Sequence, residues 1–451
     1  MSDQQARVSV FPLGGVVHNV LVDGLVDADN RPIRALRISK DHPVAGDAAG
    51  GTFMLPGTSA ADADVTGFVA DPITVDFDIG SAGRGFYASD AVYFGTVEGT
   101  YSAYSDGSSF WNGGGHLYRL VMNRDGHELR ASDQKVFDPA DWAIKPMLDL
   151  SGTYTVTGAG VTPKPTVSGN AIQPISSAPS VGFDGNQYWI YFGTGRFFDA
   201  DDKTDRQQQS FYGLKEPMQG STLTWDELEL RGIGSREAGQ KGLFQTDQIL
   251  VPEGADARSI QLGCREGRGS ERSCFPNDMG SQAPTFDQLE QYIAGIGDCA
   301  AQSYKRNCVD GWFYNFYPYE NRERNVGQAT LLGGLVTFTT YQPYNDVCLA
   351  EGNGYLYALH YRTGTFWHEN VFGSAGLEEV GGDLFVRHKL GLGRGLSTTL
   401  NLYAGSGQQA GEGVKAFVQT STGEVREIEQ ENLPIRNYRS GRGRWKEIER
   451  P

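Results

Sequence analysis

The sequence predicts an all-β protein, a β-propeller of antiparallel meander blades with long irregular loops. Three observations lead there. Glycine is abundant, 60 of 451 residues, with no every-third-residue period of the collagen kind. Aromatic residues make up 11% of the chain and recur in short runs with valine, leucine and threonine, closed by turn residues. One order of elements (strand, strand, loop, strand, turn) also returns along the chain.

Residues 1–70 are the least regular. Residues 16–22 (VVHNVLV) read as a strand, Asp23, Asp27 and Asp29 follow, and 45–65 is a loop rich in Gly, Ala and Asp. This part is expected to be loop-rich, an incomplete blade at most. The propeller is expected over 71–451. Its first unit runs 72–77 (PITVDF), 91–95 (AVYFG) and 116–121 (HLYRLV). The second runs 178–183 (APSVGF), 189–193 (WIYFG) and 210–214 (SFYGL). The third runs 329–332 (ATLL), 335–339 (LVTFT) and 354–359 (GYLYAL), with a turn at Thr363-Gly364. A shorter copy runs 398–405 (TTLNLYAG) and 414–420 (VKAFVQT), with a turn at Thr422-Gly423. Such meanders cannot bury both faces alone, and stacking around an axis favours a propeller over a β-sandwich.

Residues 220–312 interrupt the pattern and read as an irregular insertion between blades, with Gly311–Phe313 restarting the sheet. The segment contains the one amphipathic helical pattern, 285–296, with Phe286, Leu289, Ile293 and Ile296 on one face and Thr285 as N-cap. It also contains Cys264, Cys274, Cys299 and Cys308; Cys348 stands apart. Spacings of ten and nine do not suit zinc. They suit two short disulfide loops, which imply an oxidising compartment.

The formal charge of −16 argues against nucleic acid as a partner. No run approaches the 18 apolar residues of a membrane span, and MSDQQARVSV lacks the apolar core of a signal peptide. The chain therefore reads either as cytoplasmic or as a fragment of an exported protein.

The stretch DADDKTD crowds four aspartates into seven positions. Asp199, Asp201 and Asp205 have the spacing of a loop that wraps a hard cation, with Asp202 as a fourth oxygen donor, so Ca²⁺ is the expected ion. Lys203 at the fifth position and Ser210 at the twelfth depart from the EF-hand pattern. Asp76, Asp78 and Asp90 form a second, looser set of candidate ligands, and a solvated acidic loop is the competing reading for each. The zinc-protease, serine-hydrolase and P-loop signatures are missing. His116, His360 and His368 read as packing or surface residues.

In their order, DAVYFGTVEG (90–99), GGHLYRL (114–120), WIYFGTGRFF (189–198), QSFYGL (209–214), DGWFYNF with VGQATLLGGLVTFTTYQP (310–343), CLAEGNGYLYALHYRTG (348–364) and SGRGRWKEIE (440–449) resemble the C-terminal β-propeller of the PilY/PilC family. These are tip-associated adhesins and biogenesis factors of bacterial type IV pili. The resemblance implies a non-enzymatic, extracellular protein at the pilus tip or outer membrane. It implies calcium binding in a D-x-D loop as a retraction switch, and partners among minor pilins and host or abiotic surfaces. The family's amino-terminal half is not in this sequence. The insertion 220–312 is expected to supply the partner surface. Residues 354–367 also resemble one repeat of the quinoprotein propellers, with His360 where those carry Asp, so a quinoprotein-like enzyme is the alternative; a purely structural extracellular scaffold is another.

Overall fold

The computed structural model describes residues 7–13, 17–23, 25–26, 32–33, 36–39, 52–53, 66–75, 91–104, 106–121, 143–152, 172–185, 187–216, 218–219, 222–223, 242–254, 261–265, 274–275, 283–294, 309–316, 322–344, 351–372, 377–380, 383–387, 389–403 and 414–435. These residues are mostly β, in sheets paired chiefly antiparallel. Among them lies one short α-helix, Phe286–Ala294, and a 3-10 turn, Ala200–Lys203.

From residue 66 onward, among the described residues, four sheets of three or more strands follow one another along the chain. The first is organised on the long strand Ala91–Ala103, which pairs with Thr66–Val69, Ile73–Val75, Ser109–Gly114 and His116–Val121; Ala143–Asp149 completes it. The second runs Ser180–Phe183, Tyr188–Gly193, Ser210–Lys215, Val309–Asn315, with Gly242–Gln245 added in parallel. The third runs Thr330–Leu332, Leu335–Pro343, Gly352–His360, Leu390–Arg394. The fourth runs Asn401–Tyr403, Val414–Gln419, Val425–Gln430. The region expected to be loop-rich also contains strands, and Arg7–Leu13, Val17–Asp23, Leu36–Ser39 and Thr52–Phe53 form a sheet of their own.

Why these segments read as near-continuous apolar runs is visible in the second sheet. Successive side chains on a strand point to opposite faces. Trp189, Tyr191, Phe211, Trp312 and Tyr314 belong to one buried cluster, which they share with Leu335, Phe338 and Tyr357 of the third sheet. Ile190, Phe192, Tyr212, Leu214 and Phe313 belong to another, shared with Tyr93, Leu117 and Leu148 of the first sheet. Both faces are therefore covered. The rings of Phe211 and Phe338 stack at 3.7 Å across one contact. Each such fully buried large side chain contributes about 2–3 kcal/mol from removed apolar surface.

The sheets are joined by a recurring device at the string YFGT. Thr96 Oγ1 accepts a hydrogen bond from the N–H of His116 at 2.8 Å, and Thr194 Oγ1 accepts one from the N–H of Ser210 at 2.8 Å. In both copies the threonine hydroxyl ties down the first residue of a strand paired beside its own. The threonine carbonyls then receive the chain that enters the next sheet, from Ile175 N–H to Thr96 and from Asn325 N–H to Thr194, each at 3.0 Å. The preceding glycine is needed because a Cβ on Gly95 would lie 2.2 Å from Ile175 Cγ2, and one on Gly193 would lie 2.3 Å from Asn325 Oδ1.

The insertion falls differently from expectation. Val309–Asn315, after it, pairs with Ser210–Lys215, before it, so the segment interrupts the second sheet from within and does not lie between two sheets. Its helix covers the core. Phe286, Leu289, Tyr292 and Ile293 are buried in the cluster shared by the second and third sheets. Thr285 and Gln288 cap the helix reciprocally, side chain to backbone in both directions. Arg362 reaches from the third sheet to Glu290 at 3.0 Å and to Asp184 at 3.1 Å, and so fixes the helix against the second sheet.

Candidate functional site

The acidic loop leaves the second sheet at Thr194 and returns at Ser210. Its centre is the 3-10 turn Ala200–Lys203, which Asp199 and Asp202 cap in a box: Asp199 accepts from the N–H of Asp201 at 3.2 Å, and Asp202 Oδ2 accepts from the N–H groups of Phe198 at 2.8 Å and Asp199 at 3.0 Å. Asparagine and aspartate favour such positions because their side chains mimic a backbone acceptor.

The four carboxylates do different work. Asp202 is fully buried; its Oδ1 accepts from Tyr101 Oη at 3.1 Å and lies 3.4 Å from Arg196 Nε. Asp205 is also buried, and its two oxygens accept from the N–H groups of Gln207 at 2.9 Å and Trp111 at 3.3 Å. Burial raises the Asp205 pKa above the ordinary carboxylate range, with Arg324 and the two N–H groups opposing. Asp199 and Asp201 are exposed. Among the described residues no three His, Cys, Asp or Glu side chains gather as a metal-binding group. Asp76, Asp78 and Asp90 lie outside the described residues, as do Cys299, Cys308 and Cys348. Cys264 and Cys274 are joined in a disulfide, Cα to Cα 5.8 Å.

A guanidinium occupies the middle of the loop. Arg324 donates from Nη1 to the carbonyls of Arg196 at 2.9 Å and Asp202 at 2.8 Å, from Nη2 to the carbonyl of Asp205 at 3.0 Å, and from Nε to the carbonyl of Arg322 at 3.0 Å. Converging carbonyls of this sort are what a cation-binding loop presents. Burial lowers the Arg324 pKa, and the charges of Asp205 and Asp202 oppose that shift. A second arginine, Arg196, lies over the ring of Trp111 at 3.9 Å and that of Tyr101 at 4.9 Å. These contacts join the loop to the hairpin of the first sheet, since Tyr101 and Trp111 are register partners there. Sequence reasoning missed both arginines because they lie 128 residues apart in the chain. The only local signal was the Arg196-Phe197-Phe198 string after YFGTG.

The loop shows two characters, a rigid inner face and an open outer one. Outside lie Phe198, 59% exposed, and Tyr101, 37% exposed, beside the exposed Asp199 and Asp201. Exposed aromatic surface bordered by charge is the composition of a docking patch.

His116 is the other residue with a role the sequence did not disclose. It starts its strand in the first sheet, with Nδ1 3.0 Å from Glu98 and Nε2 3.3 Å from Asp149, carboxylates from the strands on either side. Burial works against its charged form, but the Glu98 hydrogen bond and the two negative charges outweigh it and raise its pKa. His360 closes a turn, with its Nδ1 3.1 Å from Thr363 Oγ1 and its carbonyl accepting from the N–H groups of Thr363 and Gly364.

No family model matches the chain, and no curated protein does. Among the described residues no helix is long and apolar enough to cross a membrane. Solved structures similar to the chain include the following two. The exo-1,5-alpha-L-arabinanase from a bovine ruminal metagenomic library matches with a TM-score of 0.24 and 10% identity, over 96% of this chain and 95% of that one. The C-terminal domain of PilY1 from Pseudomonas aeruginosa matches with a TM-score of 0.47 and 16% identity, over 94% of this chain and 72% of that one.

Proposed function

We propose that this chain is a propeller domain of a type IV pilus-associated protein, a non-enzymatic display platform at the cell surface. One observation supports the reading above others. Apart from SGRGRWKEIE (440–449), which lies outside the described residues, the strings whose order resembles the PilY/PilC family each include an inner strand of one of the successive sheets, and the two YFGT copies make the same inter-sheet joint. The first strands of the second, third and fourth sheets also touch in succession, as inner strands of blades do. Loops on such a scaffold are free to vary and carry recognition.

The surface that engages a minor pilin, host or abiotic ligand is assigned to the outer face of the acidic loop, around Phe198 and Tyr101. The insertion helix is buried in the core, so deleting 220–312 would unfold the second sheet along with any binding surface. A finer test uses a strain lacking the full-length protein, complemented with wild type or Phe198→Ala. Wild type should restore surface pili and attachment; Phe198→Ala should restore pili with attachment reduced. A strain that makes pili and attaches normally without the protein overturns the reading. Calcium enters this proposal only through the outward carboxylates of Asp199 and Asp201.

A further inference from the structure

His116 is set between two acids in a way that only one of its protonation states satisfies. Its Nδ1 lies 3.0 Å from Glu98 Oε1, and its Nε2 lies 3.3 Å from Asp149 Oδ1. Both ring nitrogens donate in the charged imidazolium. The neutral ring keeps one donor and turns a lone pair toward the other carboxylate. The ring is buried, but the side chains of Glu98 and Asp149 are 22% and 28% exposed, open enough for a proton to pass between ring and solvent. Tyr118 also lies against the ring, centroid to centroid at 5.3 Å. Burial, and then the charges of Glu98 and Asp149, raise its pKa, so that phenol stays neutral.

The second sheet shows that such a joint needs no charge. Ser210 stands where His116 does, since each begins its strand and donates its N–H to the threonine of YFGT. The register partner of His116 is Asp149, and that of Ser210 is Asn315. The second pair is neutral, with Ser210 Oγ donating to Asn315 Oδ1 at 2.6 Å. Arg196 stands where Glu98 does, two residues after the threonine, and lies on Trp111. One backbone arrangement thus carries a neutral pair in one sheet and a proton-dependent trio in the other.

The trio holds an edge. Among the described residues Ala143–Asp149 pairs on one side only, with His116–Val121. Just beyond it the Leu150 carbonyl accepts from the N–H groups of Gly115 at 3.2 Å and Gln173 at 3.0 Å, where the chain passes toward the second sheet. Asp149 Oδ1 also accepts from the N–H of Ser151 at 2.9 Å and from its hydroxyl at 2.6 Å. Ser151 moves with Asp149, so that carboxylate keeps partners when it leaves His116.

We propose that His116, Glu98 and Asp149 form a proton-operated latch, which holds the edge strand Ala143–Asp149 on the first sheet while the ring is charged and frees it once the ring is neutral. The closed form belongs to lower pH. Burial opposes the charged ring, but the Glu98 hydrogen bond and the charges of Glu98 and Asp149 outweigh it and raise the pKa. The latch is therefore fully closed below about 6.5 and opens as pH rises through the folded value. The inference stands without the pilus reading, since it concerns only how the first sheet holds its edge.

The test follows amide hydrogen exchange of the full chain by mass spectrometry at pH 6 and pH 9, corrected for the intrinsic effect of pH on exchange. Protection over 143–150 should fall at least about threefold at pH 9, while the equivalent strand of the second sheet, Val309–Asn315, changes less than about twofold. Grafting the neutral pair of the second sheet, His116→Ser with Asp149→Asn, should leave the chain folded and bring the change over 143–150 below about twofold. His116→Gln, which removes the titrating group alone, should do the same. In wild type, ¹⁵N NMR of labelled histidine should show His116 titrating above about 6.5. A His116 that titrates below that value overturns the proposal. So does a wild-type protection over 143–150 that pH leaves unchanged, a loss spread equally over all four sheets, or an undiminished loss in His116→Gln.

Discussion

The N–H of Asn325 donates to the carbonyl of Thr194, and the Asn325 side chain lies where a Cβ on Gly193 would fall. Ile175 stands in the same relation to Thr96 and Gly95. This repeated joint gives the YFGT string its meaning. Tyrosine and phenylalanine face opposite cores, glycine admits the neighbouring sheet's chain, and threonine binds a paired strand and the neighbour together.

Alanine at either glycine should therefore be costly. Gly95→Ala is expected to destabilise the fold by about 1–3 kcal/mol or more through overpacking, read by urea unfolding. Combining it with Ile175→Ala should recover part of the loss, because the clash is with the Ile175 side chain. Additive losses would show that the joint is not a two-residue contact.

Arg324 should matter more than any carboxylate it serves. Arg324→Met leaves four carbonyls without their donor and takes a cation from beside the buried Asp205 and Asp202, of which Asp202 keeps Arg196. A loss of about 3–5 kcal/mol is expected. Arg324→Lys should recover little, since an ammonium lacks the planar fork that reaches carbonyls on several sides. Unfolding midpoints of the two variants settle the comparison.

The acidic loop separates inward from outward charge. Asp202→Asn should lower the melting temperature with or without calcium, because its carboxylate accepts two backbone N–H groups and faces Arg196. Asp201→Ala should change stability by no more than about 0.5 kcal/mol in the presence of EGTA, as an exposed surface substitution. A calcium site on the outer face predicts that millimolar Ca²⁺ raises the melting temperature of wild type and not of Asp201→Ala.

His116 gives the fold a defined pH dependence. Its pKa is raised in the folded state, so its protonated form stabilises the first sheet. That contribution is fully present below the unfolded value of about 6.5 and is lost as pH rises through the folded pKa. The stability difference between wild type and His116→Gln should thus be larger at pH 6 than at pH 9, by chemical denaturation. A constant difference would exclude the charged clamp between Glu98 and Asp149.

The acidic loop and the joints mark the boundary of what the sequence revealed. The all-β class, the helix with its Thr285 cap, and the strands around YFGT and LVTFT were legible because each rests on local periodicity and local turn chemistry. Ser109–Gly114 and Ala143–Asp149 were not, since glycine dilutes the first and Pro146 interrupts the second, at a position where the register shifts. The spacing of Asp199, Asp201 and Asp205 suggested converging ligands. The turn instead points Asp205 inward, leaves Asp199 and Asp201 outside, and has its carbonyls met by Arg324.

By itself the sequence determined the inner strands around YFGT, SFYGL and LVTFT, because alternation and turn residues act over a few positions. It also determined that those strands repeat as a unit. Tertiary structure decided where the insertion sits, which charges meet and which guanidinium the loop's carbonyls receive. These depend on contacts between residues about a hundred positions apart, such as Arg324 with Asp205 and Trp111 with Arg196, and local spacing holds no record of such contacts.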